Sequence, residues 1–65
     1  MQFSEKDKKL GTFSREQVQA YLDSKEIDQE IPTNGDQLVV ALAGVQGALV
    51  FNPTENNRFE LWQTA

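Results

Sequence analysis

The 65-residue chain contains no cysteine and no histidine, and these two absences remove several classes of function. Disulfide bonds are excluded, and a structural zinc site would lack its two favoured ligand types. The usual general base at neutral pH and the thiolate nucleophile are missing as well. The sequence therefore favours a protein that is not an enzyme and that holds no metal or cofactor. The lack of cysteine also fits a reducing, cytoplasmic compartment.

The chain also lacks a long apolar run. Its N-terminus is charged and has no apolar signal-peptide segment. The longest apolar run, residues 38–45, is far shorter than the roughly 20 residues of a membrane span. A chain of this length forms one domain at most, with a core that supplies only about 3–5 kcal/mol. We therefore expect a single small domain over residues 1–65, with no membrane association.

Charge is distributed unevenly along the chain. The net charge of −4 divides into a local +2 over residues 1–15, −5 over residues 16–36 and −1 over the remainder. We interpret residues 1–12 as a flexible basic arm and residues 23–36 as an acidic segment. The acidic balance argues against nucleic acid as a partner, since a basic patch is the usual footprint. A nucleic-acid binder remains an alternative, and its cations would be Lys6, Lys8, Lys9 and Arg15.

One helix is predicted over residues 15–24. Ser14 and Gln17 have the spacing of a capping box, in which each side chain bonds the backbone N–H of the other residue. Val18, Tyr21 and Leu22 then recur at the spacing of one helical face.

Strands are predicted after the helix. Residues 26–31 alternate polar and apolar, and Asn34-Gly35 is a strong signal for a type I′ hairpin turn. The four predicted strands are 26–31, 37–43, 48–51 and 58–63, with a turn at residues 44–47. Residues 37–51 also have roughly helical spacing, but their glycines and valines favour strands. We predict an α+β fold in which the capped helix packs on a three- to four-stranded antiparallel meander.

The two central strands are apolar on both faces, whereas a ten-residue helix about 15 Å long can cover only one face. Either the N-terminal arm covers the second face with Phe3, Leu10 and Phe13, or another chain does so, in a homodimer or as an obligate partner. Trp62 marks this second face, because alternation places it opposite Phe59 and Leu61.

The acidic segment has three interpretations. It is a solvated face, a contact for a basic protein partner, or a mimic of a phosphate backbone. Asp28 and Glu30 would lie on one strand face, but acid–base work by paired carboxylates needs a cleft that raises one pKa. Only weak, non-specific cation binding is expected at Asp28, Glu30 and Asp36.

We therefore predict a small acidic, non-enzymatic binding protein that modulates or inhibits a larger protein partner with a basic surface. Small inhibitor proteins that come from phages or mobile elements fit this description. The main alternative is a small dimeric structural or accessory subunit. The predicted partner-binding residues are Asp23, Glu26, Asp28, Glu30, Asp36 and Trp62.

Overall fold

A computed structural model describes residues 3–64, which contain one helix and a four-stranded antiparallel sheet. In chain order the elements are β1 (Lys8–Ser14), α1 (Arg15–Ser24), β2 (Leu38–Val40), β3 (Leu49–Pro53) and β4 (Arg58–Gln63). The strand order is β1-β4-β3-β2, so β2, β3 and β4 form a meander and β1 pairs with the last strand. This arrangement confirms the predicted α+β class.

Helix α1 has the predicted bounds because its end signals are local. The Gln17 N–H donates to Ser14 Oγ at 3.2 Å, and the Ser14 N–H donates to Gln17 Oε1 at 2.9 Å. At the other end, the Glu26 N–H donates to the Asp23 carbonyl and the Ile27 N–H to the Leu22 carbonyl, at 3.1 and 2.9 Å. These two bonds form a Schellman motif, which ends the helix and turns the chain.

The predicted strand at residues 26–31 is wrong, because this stretch is irregular. Glu26 has a φ of 57°, the left-handed conformation that the Schellman motif requires at this position. Ile27 and Ile31 then pack against the core, while Asp28 and Glu30 stay exposed. The alternation thus reflects two apolar anchors of an irregular segment and not a paired strand.

The N-terminal part of the chain contains a strand where the sequence predicted none. Strand β1 begins at Lys8, within the residues 1–12 that we expected to form a flexible basic arm. Its register with β4 shifts between Lys9, which pairs with Trp62, and Gly11, which pairs with Leu61. Leu10 is the extra residue of this bulge and is 48% exposed. A bulge breaks the period-2 pattern from which a strand is recognised.

The middle of the chain forms strands rather than a helix, as predicted, but β2 is shorter than residues 37–43 and β3 extends past residue 51. The predicted type I′ turn at Asn34-Gly35 is wrong. Gly35 has a φ of 86° but Asn34 has no positive φ, and that turn type needs both. Instead, the Asn34 side chain bonds both the backbone N–H and the carboxylate of Asp36.

The turn predicted at residues 44–47 is confirmed. Gly44 and Gly47 both have positive φ, 81° and 85°. A Cβ added at Gly47 would overlap the Thr64 carbonyl oxygen, so this turn lies directly against the end of β4.

The core lies between α1 and one face of the sheet, which we call the helix face. Phe51 is 1% exposed at its centre, and its ring meets Phe13 and Tyr21 edge-on, with centroids 6.4 and 5.6 Å apart. The buried members of this core are Val18, Leu22, Leu38, Val40, Leu49, Phe51, Phe59 and Leu61.

Candidate functional site

The opposite sheet face, which we call the arm face, carries Trp62 as predicted. Trp62 alternates with the core residues of β4 and pairs in register with Val50 of β3. The Phe3 ring stacks on the indole with centroids 4.5 Å apart and an interplanar angle of 12°. Val50 is fully buried, whereas Val39 beside it on the edge strand is 49% exposed. The N-terminal arm therefore covers the centre of this face and leaves its edge open.

Of the three residues expected to cover this face, only Phe3 stacks on it. Leu10 is exposed at the bulge, and Phe13 packs against the core on the helix face. The Ser4 N–H donates to Asp7 Oδ2 at 2.7 Å, and the Asp7 N–H to the Ser4 carbonyl at 3.1 Å. This turn lies between Phe3 and the start of β1.

An ion pair lies on the arm face beside Trp62. Lys9 Nζ is 2.7 Å from Glu60 Oε2. The hydrogen bond from Lys9 is the main reason that the pKa of Glu60 lies below its ordinary value, and partial burial opposes this shift. The Trp62 indole and the Asn52 amide lie close enough to favour the charged carboxylate as well. Nevertheless, no acceptor within residues 3–64 meets hydrogen-bond geometry at Trp62 Nε1, so this buried N–H has no partner in the described part of the chain.

The acidic segment lies on the other side of the sheet, next to α1. The Arg15 guanidinium donates to the Pro32 carbonyl oxygen at 2.8 Å and lies 5.4 Å from the centroid of the Phe59 ring. A cation at this distance from an aromatic ring is attracted to it. Arg15 thus holds the acidic segment against the helix face of the sheet.

A cleft of about 510 Å³ lies between the acidic segment and α1. It is lined by Arg15, Glu16, Gln19, Asp28, Gln29, Glu30 and Ile31. Glu16, Asp28 and Glu30 are exposed, and none of the three makes an ion pair with another described residue. The cleft therefore contains three solvated carboxylates and one arginine whose guanidinium is already engaged.

The structure separates the predicted site residues into five places. Asp28 and Glu30 line the cleft, whereas Asp23 accepts a bond from Gln19 Nε2 at 3.0 Å in the last turns of α1. Glu26 forms the turn after the helix, and Asp36 belongs to the turn before β2. Trp62 lies on the opposite sheet face. Only two of the six residues therefore share one concave surface.

Sequence reasoning missed Glu16, Arg15 and Gln19 as cleft residues. In the sequence, Glu16 is already explained by its place in the first turn of the helix, where a carboxylate stabilises the positive helix end. All three lie in the N-terminal half of α1, but the sequence does not show that the acidic segment passes beside them.

No group of three or more acidic side chains among residues 3–64 is arranged to hold a metal ion. Within the same residues, no helix is long and apolar enough to cross a membrane. The chain matches no protein-family model, no curated protein and no solved structure. Its function must therefore be argued from its own surfaces.

Proposed function

We propose that this chain is a small, non-enzymatic binding protein that modulates or inhibits a larger protein partner, and that it binds a basic surface of that partner. The observation that carries the proposal is the cleft with three exposed carboxylates, Glu16, Asp28 and Glu30, none of which makes an ion pair with a described residue. A lysine or arginine side chain of the partner would supply the missing positive charge.

The net charge of the cleft supports a cationic ligand. Arg15 offsets one carboxylate, and the N-terminus of α1 contributes about half a positive charge, which leaves the cleft at about −1.5. These charges are solvated, so their main effect is on the rate of encounter and the choice of partner and less on the final affinity. A protein that acts by occupying a partner's basic site needs both a fast encounter with that partner and a selective choice of it.

In this proposal, Trp62 contributes to binding only if Phe3 moves away from it. Its ring is covered by Phe3, and the cleft lies on the opposite side of the sheet. The indole joins the contact only when a partner displaces Phe3, so the first contact is assigned to the cleft.

The test compares two double variants that remove the same charge. One variant combines Asp28→Ser with Glu30→Ser, and the control combines Glu5→Ser with Glu55→Ser, two exposed acids outside the cleft. The partner is captured from a host lysate on the immobilised protein, identified, purified and used in association measurements over a salt series. We expect the cleft variant to associate about tenfold more slowly at low salt, with a flatter salt dependence. Equal rates for the two variants would reject the proposal.

A dimeric accessory subunit is the second candidate. The exposed Val39 side chain favours it, because β2 is an edge strand whose outer side has no partner among the described residues. This candidate predicts a dimer in light scattering at high micromolar concentration, which Val39→Lys converts to a monomer. A wild-type monomer at that concentration would eliminate it.

A further inference from the structure

A second pocket, of about 360 Å³, lies where β1 begins and β4 ends. We call it the lysine pocket, and its lining residues are Lys6, Lys8, Gln46, Gln63 and Thr64. Among residues 3–64, no carboxylate lines it, although the chain as a whole has a net charge of −4. The pocket is therefore a cationic site on an acidic protein.

The two lysines of this pocket differ from the other two cations of the N-terminal region. Lys9 is paired with Glu60, and Arg15 is bonded to the Pro32 carbonyl. Within residues 3–64, neither Lys6 nor Lys8 makes an ion pair. Two lysines that line one pocket bring two positive charges close to each other, and an anion bound between them would be attracted to both.

The walls of the lysine pocket are held by several contacts. Lys8 pairs in register with Gln63, whose Nε2 donates to the Gln46 carbonyl at 3.4 Å. The Thr64 hydroxyl accepts from the Ala48 N–H at 2.7 Å and donates to the Ala48 carbonyl at 3.2 Å. The donors left for a ligand are thus the two ammonium groups, the Gln46 amide and the second hydrogen of the Gln63 amide.

We propose that the lysine pocket binds the phosphate group of a small phosphate monoester. Such a group carries about −1.5 to −2 charges at neutral pH and presents three strong acceptor oxygens. This charge matches two ammonium groups, and the oxygens match the remaining amide donors. A carboxylate or a phosphate diester carries a single negative charge and leaves one lysine unopposed. The pocket shares no residue with the acidic cleft, so this proposal is independent of the proposed function.

The experiment is an NMR titration of the full chain with phenyl phosphate at constant ionic strength. We expect a Kd of about 1 mM, with the largest shifts at the side-chain amides of Gln46 and Gln63. Lys6→Gln and Lys8→Gln should each weaken binding about tenfold, because each removes a charge-assisted hydrogen bond. Lys9→Gln and Lys25→Gln remove the same charge outside the pocket and should change the Kd by less than about twofold.

Two further measurements test which kind of anion the pocket binds. Benzoate and dimethyl phosphate should bind at least about fivefold more weakly than phenyl phosphate, because each carries a single charge. Binding of phenyl phosphate should also weaken as the pH falls through the second phosphate pKa, which is about 6. Equal losses in all four lysine variants, shifts that avoid Gln46 and Gln63, or equal affinity for the single-charge anions would each overturn the proposal. Well-dispersed spectra of the variants verify that they are folded.

Discussion

The two faces of the sheet are covered in different ways. On the helix face, a continuous set of buried side chains from α1 and three strands packs around Phe51. On the arm face, one aromatic ring from outside the sheet, Phe3, stacks on Trp62, and the neighbouring Val39 remains half exposed. The helix face therefore supplies most of the folding stability, whereas the cover of the arm face is local and can be removed separately.

The largest expected effect is on the helix face. Phe51→Ala should lower the free energy of unfolding by about 3–5 kcal/mol, because it opens a cavity where Phe13 and Tyr21 now meet the ring. This loss equals the whole stability expected of so small a core, so the variant should be largely unfolded at 25 °C in circular dichroism.

Val39→Ala is the matched control on the arm face, since Val39 lies on the neighbouring strand and is 49% exposed. It should cost less than about 1 kcal/mol in urea denaturation. Similar losses for the two variants would mean that the faces do not differ in their contribution to stability.

A smaller effect is expected from removing the cover of the arm face. Phe3→Ala should cost about 1 kcal/mol, the usual value of an aromatic pair. Trp62 is the only tryptophan, so its fluorescence reports directly on this contact. The emission should shift to longer wavelengths as water reaches the indole, while the far-ultraviolet circular dichroism stays unchanged.

Leu10→Ala is the control for this experiment, because Leu10 is exposed at the bulge and lies outside the aromatic stack. Its emission spectrum should match the wild type. If Phe3→Ala leaves the Trp62 emission unchanged, the arm does not cover this face in solution.

The smallest expected effect concerns the ion pair on the arm face. The pKa of Glu60 is lowered in the folded protein, mainly by the hydrogen bond from Lys9, so the folded state binds this proton less readily than the unfolded state. The resulting stabilisation is present above the unfolded pKa, near the ordinary value of 4.5, and is lost as the pH falls through the folded pKa. Because both side chains are partly solvated, the stabilisation should be less than about 1 kcal/mol.

Glu60→Gln removes this titration, and Glu55→Gln is its control, since Glu55 is exposed and makes no ion pair with a described residue. Urea midpoints measured from about pH 6 to pH 3 should fall less steeply for Glu60→Gln than for the wild type. Parallel curves for the two variants would show that the Lys9 pair adds nothing to stability.

The parts of the fold that could be predicted from the sequence depend on residues close together in the chain. The start of α1 follows from the capping box of Ser14 and Gln17, and the strand at residues 58–63 follows from alternation alone. The position of Trp62 opposite the core is a consequence of the same alternation.

Two of the wrong assignments, the strand at residues 26–31 and the missed strand β1, have different causes. Residues 26–31 alternate like a strand, yet they follow the left-handed Glu26 that ends the helix, and Ile27 and Ile31 anchor them to the core without pairing to the sheet. Strand β1 could not be recognised, because the bulge at Leu10 breaks its pattern and its partner lies about fifty residues away.

The same distinction applies to the candidate sites. The sequence by itself determined that the charge is divided along the chain and that the central strands are apolar on both faces, because these properties depend on composition and local period. Only the tertiary structure decided that Glu16 joins Asp28 and Glu30 in one cleft and that Phe3 covers Trp62. It also decided that the basic residues of the N-terminal region have three different roles: an ion pair with Glu60, a hydrogen bond to the Pro32 carbonyl, and the lining of the lysine pocket. Each of these contacts joins residues whose approach is set by strand pairing and by the path of the acidic segment, which no local signal encodes.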